Sequence, residues 1–210
     1  MTEQDLKNME LSRLAEINGP SKDDPNAQLM NLANKAECQL IRNGILFESF
    51  NKFQHNVQID HYREGKWYKT YSTHNDITNE GKNTILEIMF HDGTQIASSS
   101  WFIGLISNSG YSALAAADTM SSHAGWTEFV GFSQATRVVW GPGAAASQSI
   151  TNSTPATFDI NATGTVKGIF VTSNSTKSGT TGKLWATALF TADVPVVNGD
   201  QLKVTYTVSA

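Results

Sequence analysis

The sequence predicts a mainly β protein: an antiparallel β-sandwich or jelly-roll-like domain with one packed helix, preceded by an α-helical N-terminal arm and a β-hairpin. Short apolar segments alternate with Gly, Ser, Thr and Asn clusters after residue 90, which is the pattern of many strands joined by turns. An unbroken apolar segment at residues 101–107 predicts a strand that is covered on both faces. We therefore divide the chain into the arm (1–52), the hairpin (53–74) and the sandwich domain (75–210).

The arm is predicted from one apolar stripe at helical spacing, after a proline suited to the first turn of a helix, Pro25. The stripe consists of Leu29, Leu32, Ala36 and Leu40. Gly44 suits a helix end, although Phe47 and Phe50 extend the stripe if the helix continues. Such a stripe is too narrow to form a core by itself, so either its own domain or a neighbouring subunit must cover it. We favour the neighbour, because residues 75–210 are expected to close their own core.

The hairpin is predicted from two strand-like segments around a Glu64-Gly65 turn. With these two residues as the loop, the strands pair in a fixed register. That register places Tyr62 opposite Trp67, Asp60 opposite Lys69, Ile59 opposite Thr70 and His55 opposite His74. One face then carries Tyr62, Trp67 and Tyr71 among charged residues. We expect these three aromatic residues, together with the arm stripe, to contact a partner.

The sandwich domain is predicted to begin with a helix between Asn75 and Gly93, capped by Asp76 or Asn79 and carrying a broad apolar face. Residues 101–107 follow as the central strand, in which Gly104 indicates close approach by another backbone or ring. Residues 111–122 are compatible with either a short helix or a loop. Six further strands are expected between residue 127 and residue 208.

Composition and motifs favour a protein without an active site. A net charge of −4 gives no electrostatic reason to expect nucleic-acid binding, and no apolar segment is long enough to span a membrane. The N-terminal residues do not resemble a secretory signal, so folding in a reducing cytoplasm is expected. His55 and His74 could share a metal only if they oppose each other across the hairpin, and no third ligand is evident. We therefore expect no catalytic residues, no metal and no cofactor.

Six segments, in this order and spacing, resemble a group of virion structural proteins of tailed bacteriophages. They are Ile77-Thr-Asn-Glu-Gly-Lys-Asn83, Trp101-Phe-Ile-Gly-Leu105, His123-Ala-Gly-Trp-Thr-Glu128, Ala135-Thr-Arg137, Phe158-Asp-Ile-Asn-Ala162 and Val197-Asn-Gly-Asp200. The resemblance covers roughly residues 55–210 and implies an all-β domain after a helix that starts at a Thr-Asn-x-Gly sequence. It implies no catalytic residues.

The residues and the resemblance together favour a capsid decoration or cement protein. Its expected partners are the major capsid protein or other virion subunits, and a homo-oligomer is expected, with neither nucleic acid nor membrane as a partner. Its expected location is the virion, assembled in the host bacterial cytoplasm. The alternative is a tail or head-fibre module that stacks exposed Trp and Tyr on a glycan or a host receptor.

Overall fold

Two antiparallel sheets face each other across an apolar core in the computed structural model, which describes residues 53–74 and 76–210. The strands are β1 (Gln54–Arg63), β2 (Lys66–His74), β3 (Asp76–Ile77), β4 (Phe102–Ser107), β5 (Glu128–Phe129), β6 (Val138–Val139), β7 (Ser149–Thr151), β8 (Ala156–Asp159), β9 (Gly164–Thr172), β10 (Leu184–Val196) and β11 (Gln201–Ser209). The helix α1 spans Asn79–Phe90, and a single 3-10 turn spans Ser98–Ser100. The predicted mainly β fold with two antiparallel sheets and one helix is confirmed. The predicted arm lies outside the described residues.

The first sheet has the order β2-β1-β11, and β7 and β8 both pair with the free edge of β11. The second sheet has the order β3-β10-β9-β4-β5, with β6 also pairing with β4. Residues 111–122, which the sequence left open, contain no helix. The two sheets therefore bury one main core between them, as in other β-sandwiches.

The predicted central strand is an inner strand of the second sheet, and both of its faces are covered. Ile103 and Leu105 belong to the main core, whereas Ile106 belongs to a smaller cluster on the opposite face. Gly104 lies against Phe170, because a Cβ added at Gly104 would sit 2.2 Å from the Cζ of that ring. The sequence predictions of two-sided burial and of close approach at the glycine are both confirmed.

The hairpin differs from the sequence expectation, because it is part of the sandwich. β1 lies between β2 and β11, and it contributes Val57 and Ile59, both 0% exposed, to the main core. Residues 75–210 therefore do not close the core of this fold alone. The sequence shows two strands and a turn, but it does not show that the last described strand, Gln201–Ser209, pairs with the first of them.

A β-bulge changes the hairpin register beyond its tip. Tyr62 pairs with Trp67 as predicted, but the register shifts between His61 and Tyr62, so that Ile59 opposes Tyr71 and Asp60 opposes Thr70. Because one slipped residue moves every following side chain to the other face, Tyr71 points into the core and is only 5% exposed. The prediction that Tyr71 shares an open face with Trp67 is wrong.

We predict that Gly104→Ala lowers the free energy of unfolding by about 1–3 kcal/mol, the usual cost of overpacking a core. The cause is the 2.2 Å approach of the new methyl group to the fully buried Phe170 ring. Adding Phe170→Leu should remove part of this cost, so that the double variant is more stable than the sum of the single changes predicts. Urea unfolding of the four proteins measures this coupling, and strict additivity would contradict the contact.

Candidate interaction surface

Helix α1 is fixed to the second sheet by its first turn. Its N-cap is Thr78 rather than Asp76 or Asn79, and the Thr78 Oγ1 accepts a hydrogen bond from the Gly81 amide at 3.0 Å. The same hydroxyl donates to the Leu184 carbonyl oxygen at 2.5 Å. Gly81 is required here, because a Cβ would sit 2.3 Å from the carbonyl oxygen of Trp185.

The C-terminal half of α1 exposes its apolar side chains. Leu86 is 54% exposed, Met89 is 65% exposed and Phe90 is 80% exposed. We call these three residues the α1 face. The broad apolar face predicted from the sequence therefore exists, but nothing in residues 53–74 or 76–210 covers it. The reason is that only Gly81 and Thr84 of the helix are buried, so the helix is held near its start.

An apolar groove of about 320 Å³ lies beside α1. Gln95 is the one polar residue among the ten that line this groove. The principal apolar residues of the lining are Phe53, Ile85, Ile88, Ile96, Trp101 and Trp185. Ile85 lies one helical turn from Met89, so the groove continues onto the α1 face. The groove and the α1 face together form one apolar surface.

The aromatic walls of the groove are held by the core behind them. Trp185 Nε1 donates to the Tyr206 hydroxyl at 2.9 Å, and Trp140 Nε1 donates to the Tyr206 carbonyl oxygen at 3.0 Å. The Trp101 and Trp185 rings pack edge to face, with centroids 6.1 Å apart. Because these two indole N–H groups point inward, Trp140 and Trp185 present mainly apolar surface to the groove.

A second exposed feature is the tip of the hairpin, where the structure keeps Tyr62 and Trp67 together. Trp67 is 62% exposed, and its Nε1 donates to the Thr70 hydroxyl at 3.2 Å. Tyr62 is partly buried beneath Lys203, whose Nζ lies 4.5 Å from the ring centroid. Two of the three predicted hairpin contact residues therefore remain accessible, whereas Tyr71 does not.

Two buried ionic clusters are used within the fold. Arg137, 2% exposed, donates to Glu128 through Nε at 3.0 Å and through Nη2 at 2.9 Å. Asp200 accepts from Arg63 and shares a 2.8 Å hydrogen bond with His61. Burial alone raises the pKa of Asp200, but hydrogen bonds from Arg63, the Val197 amide and His61 outweigh it and lower the pKa to about 2. The charges in each cluster therefore pair with one another, and Glu128 and Arg137 also line a cavity of about 190 Å³.

The two histidines considered as a metal pair are separated by the register. His74 opposes Asn56 and is exposed, whereas His55 is 1% exposed and its Nδ1 shares a 2.5 Å hydrogen bond with the Tyr206 hydroxyl. Burial lowers the pKa of His55 to about 4, against the opposing effect of the charge on Asp76. The expected opposition of His55 and His74 is wrong for the same reason as that of Asp60 and Lys69: the bulge shifts both pairs.

The described ranges contain no group of three or more His, Cys, Asp or Glu residues placed to hold a metal ion. Among the same residues, no helix has both the length and the hydrophobicity needed to cross a bilayer. No protein-family model matches this chain, and no curated protein matches it either. The interaction surface therefore rests on the geometry of this chain alone.

The predicted contact residues Leu29, Leu32, Ala36 and Leu40 lie outside the described residues. Sequence reasoning did not select the α1 face or the groove as a site, although it identified the apolar face of the helix. The three apolar residues Leu86, Met89 and Phe90 carried the only available indication. An amphipathic helix has the same pattern whether its own sheet or another molecule covers it.

We predict that the free energy of unfolding falls by about 3 kcal/mol as the pH decreases from about 6.5 to about 4, because of His55. In this window the unfolded histidine binds a proton and the folded one does not, so protonation favours unfolding. His55→Phe should remove this part of the pH dependence, whereas His74→Phe, at an exposed position, should keep it. Urea unfolding at several pH values measures the slopes, and equal slopes in wild type and His55→Phe would contradict the assignment.

Proposed function

We propose that this chain is a non-enzymatic structural protein of a tailed-bacteriophage virion, which decorates the capsid and fastens neighbouring subunits. The observation that carries the proposal is the continuous apolar surface formed by the groove and the α1 face. Monomeric proteins rarely leave such a surface open, and those that do generally use it to bind another molecule. A fastening protein needs such a surface.

The internal chemistry supports a structural role. The buried carboxylates Glu128 and Asp200 each face an arginine, and the surrounding donors satisfy them further. Removing one partner of such a pair is strongly destabilising, because it leaves an uncompensated buried charge. With a single cysteine in the sequence, internal disulfides cannot contribute to stability, so packing and these pairs hold the module together.

The proposed partners are the major capsid protein or other virion subunits, together with further copies of this chain. In this proposal the arm stripe and the apolar surface are the main contacts, and Tyr62 and Trp67 add a smaller aromatic contact. The virion is the proposed location. Neither a nucleic acid nor a membrane has a role in this proposal.

A second candidate function is favoured by the hairpin tip. Trp67 is the most exposed of the large residues there, and its indole is oriented by the hydrogen bond to Thr70. An exposed, oriented aromatic ring with polar neighbours such as Asp60 suits stacking on a sugar ring. A tail or head-fibre module that binds a glycan or a host receptor is therefore the alternative.

We predict that the double variant Met89→Asp/Phe90→Asp folds normally but fails to enter virions. Both side chains are more than 60% exposed, so the fold should tolerate the change. Burying them in an interface contributes roughly 3–6 kcal/mol together, and losing this lowers affinity by about two orders of magnitude or more. The measurement is copy number per purified particle, with Val130→Asp, at a residue 43% exposed outside this surface, as the matched control.

Incorporation of the double variant at the level of the control would contradict the proposed role of this surface. The glycan-binding alternative would instead be supported by three results together. The double variant enters particles as efficiently as wild type, each particle holds only a few copies of the protein, and Trp67→Ala abolishes host adsorption.

We also predict that Leu32→Asp/Leu40→Asp leaves the melting temperature of the described domain nearly unchanged and abolishes incorporation. The reason is that the stripe is proposed to bury itself on a neighbour and not within its own core. Differential scanning calorimetry and particle copy number measure the two effects. A much lower melting temperature with full incorporation would show that the stripe belongs to the core of its own chain.

A further inference from the structure

We infer that the apolar groove beside α1 binds the stripe within residues 25–50 of a second copy of this chain. The inference deepens the proposed function, because it names the partner of one surface. The choice of a second copy over the same chain rests on the proposed fastening role. The match between groove and stripe rests on the residues themselves.

The chemistry of the groove selects an apolar occupant. Its volume of about 320 Å³ lies in the range of about 300–1,000 Å³ found for ligand sites. No carboxylate or ammonium group lines it, and Gln95 is the one polar side chain of the lining. A charged or strongly hydroxylated ligand would lose its hydration there without gaining partners.

The shape of the surface selects a helix over a small apolar molecule. The groove is open and continues along Ile85 and Ile88 onto Met89 at the α1 face. Amphipathic helices bind in such grooves through apolar residues spaced three and four apart. The stripe has this spacing at Leu29, Leu32, Ala36 and Leu40.

The length of chain between the stripe and Phe53 allows the stripe to reach the groove of another molecule. Phe53, the first described residue, is 45% exposed and lines the groove, so the described domain begins beside the groove. Residues 41–52 separate the stripe from Phe53, and an extended chain of that length spans up to about 40 Å. That reach is enough for the stripe to meet the groove of an adjacent molecule. Reciprocal exchange between two copies would cover both grooves in a closed dimer.

A cross-linking experiment on the full-length chain tests the inference. Two differently tagged proteins are prepared in a Cys38→Ser background, one with Ala36→Cys in the stripe and one with Met89→Cys on α1. Mixing under mild oxidation should give a disulfide-linked heterodimer at twice the mass of the chain. The pair Ala36→Cys with Val130→Cys is the control and should give no enrichment of this species.

Three results would overturn the inference. The first is a heterodimer yield equal to that of the control pair. The second is a chain carrying both Ala36→Cys and Met89→Cys that cross-links only within the monomer, which would make its own stripe the occupant. The third is a Met89→Cys homodimer in preference to the heterodimer, which would show that α1 packs on α1. Purified protein suffices here, so failure leaves the particle experiments on the proposed function standing.

Discussion

The pairing of β1 with β11 is the constraint on which the rest of the described fold depends. It joins the first strand of these residues to the last, from Gln54 opposite Ser209 to Tyr62 opposite Gln201. The pairing places His55 against Tyr206, and Tyr206 in turn receives the indole N–H groups of Trp140 and Trp185. The central strand of the first sheet and the wall of the apolar groove are therefore set by one long-range contact. Folds dominated by contacts of such sequence separation fold more slowly than those with local contacts.

The residues that stabilise the fold differ from the apolar residues that the fold leaves exposed. The tryptophans of the groove are hydrogen-bonded to the core. The α1 face is open because the contacts that attach the helix, at Thr78, Glu80 and Gly81, lie at its start. Exposed apolar side chains contribute little to the stability of the isolated domain. Burying each one in an interface contributes roughly 1.5–3 kcal/mol, so the binding energy is available without rearranging the domain.

The sequence predicted what local pattern determines and missed what distant pairing determines. The two-sided burial of β4 and the close approach at Gly104 follow from seven consecutive residues. The hairpin turn and the Tyr62–Trp67 pair were also predictable, but the bulge was not, because the burial of Tyr71 against the core decides it. For the candidate site, the sequence identified the apolar residues of α1 and not their exposure. Their exposure follows from the attachment of α1 at its start, where only Gly81 and Thr84 are buried, and no local pattern indicates this.

A few buried residues outside the main core connect the elements of the described fold to one another. Thr78 and Gly81 attach α1, Glu128 and Arg137 form one buried ion pair, and Asp200 anchors the other cluster. These residues hold the module in one shape and do not touch the apolar surface. These residues therefore bear on the fold, whereas the partner contacts of the proposed function come from other residues. Among the described residues, those contacts lie in the groove and on the α1 face. Substitutions there could fit a different partner and leave the attachment of α1 and both ionic clusters unchanged.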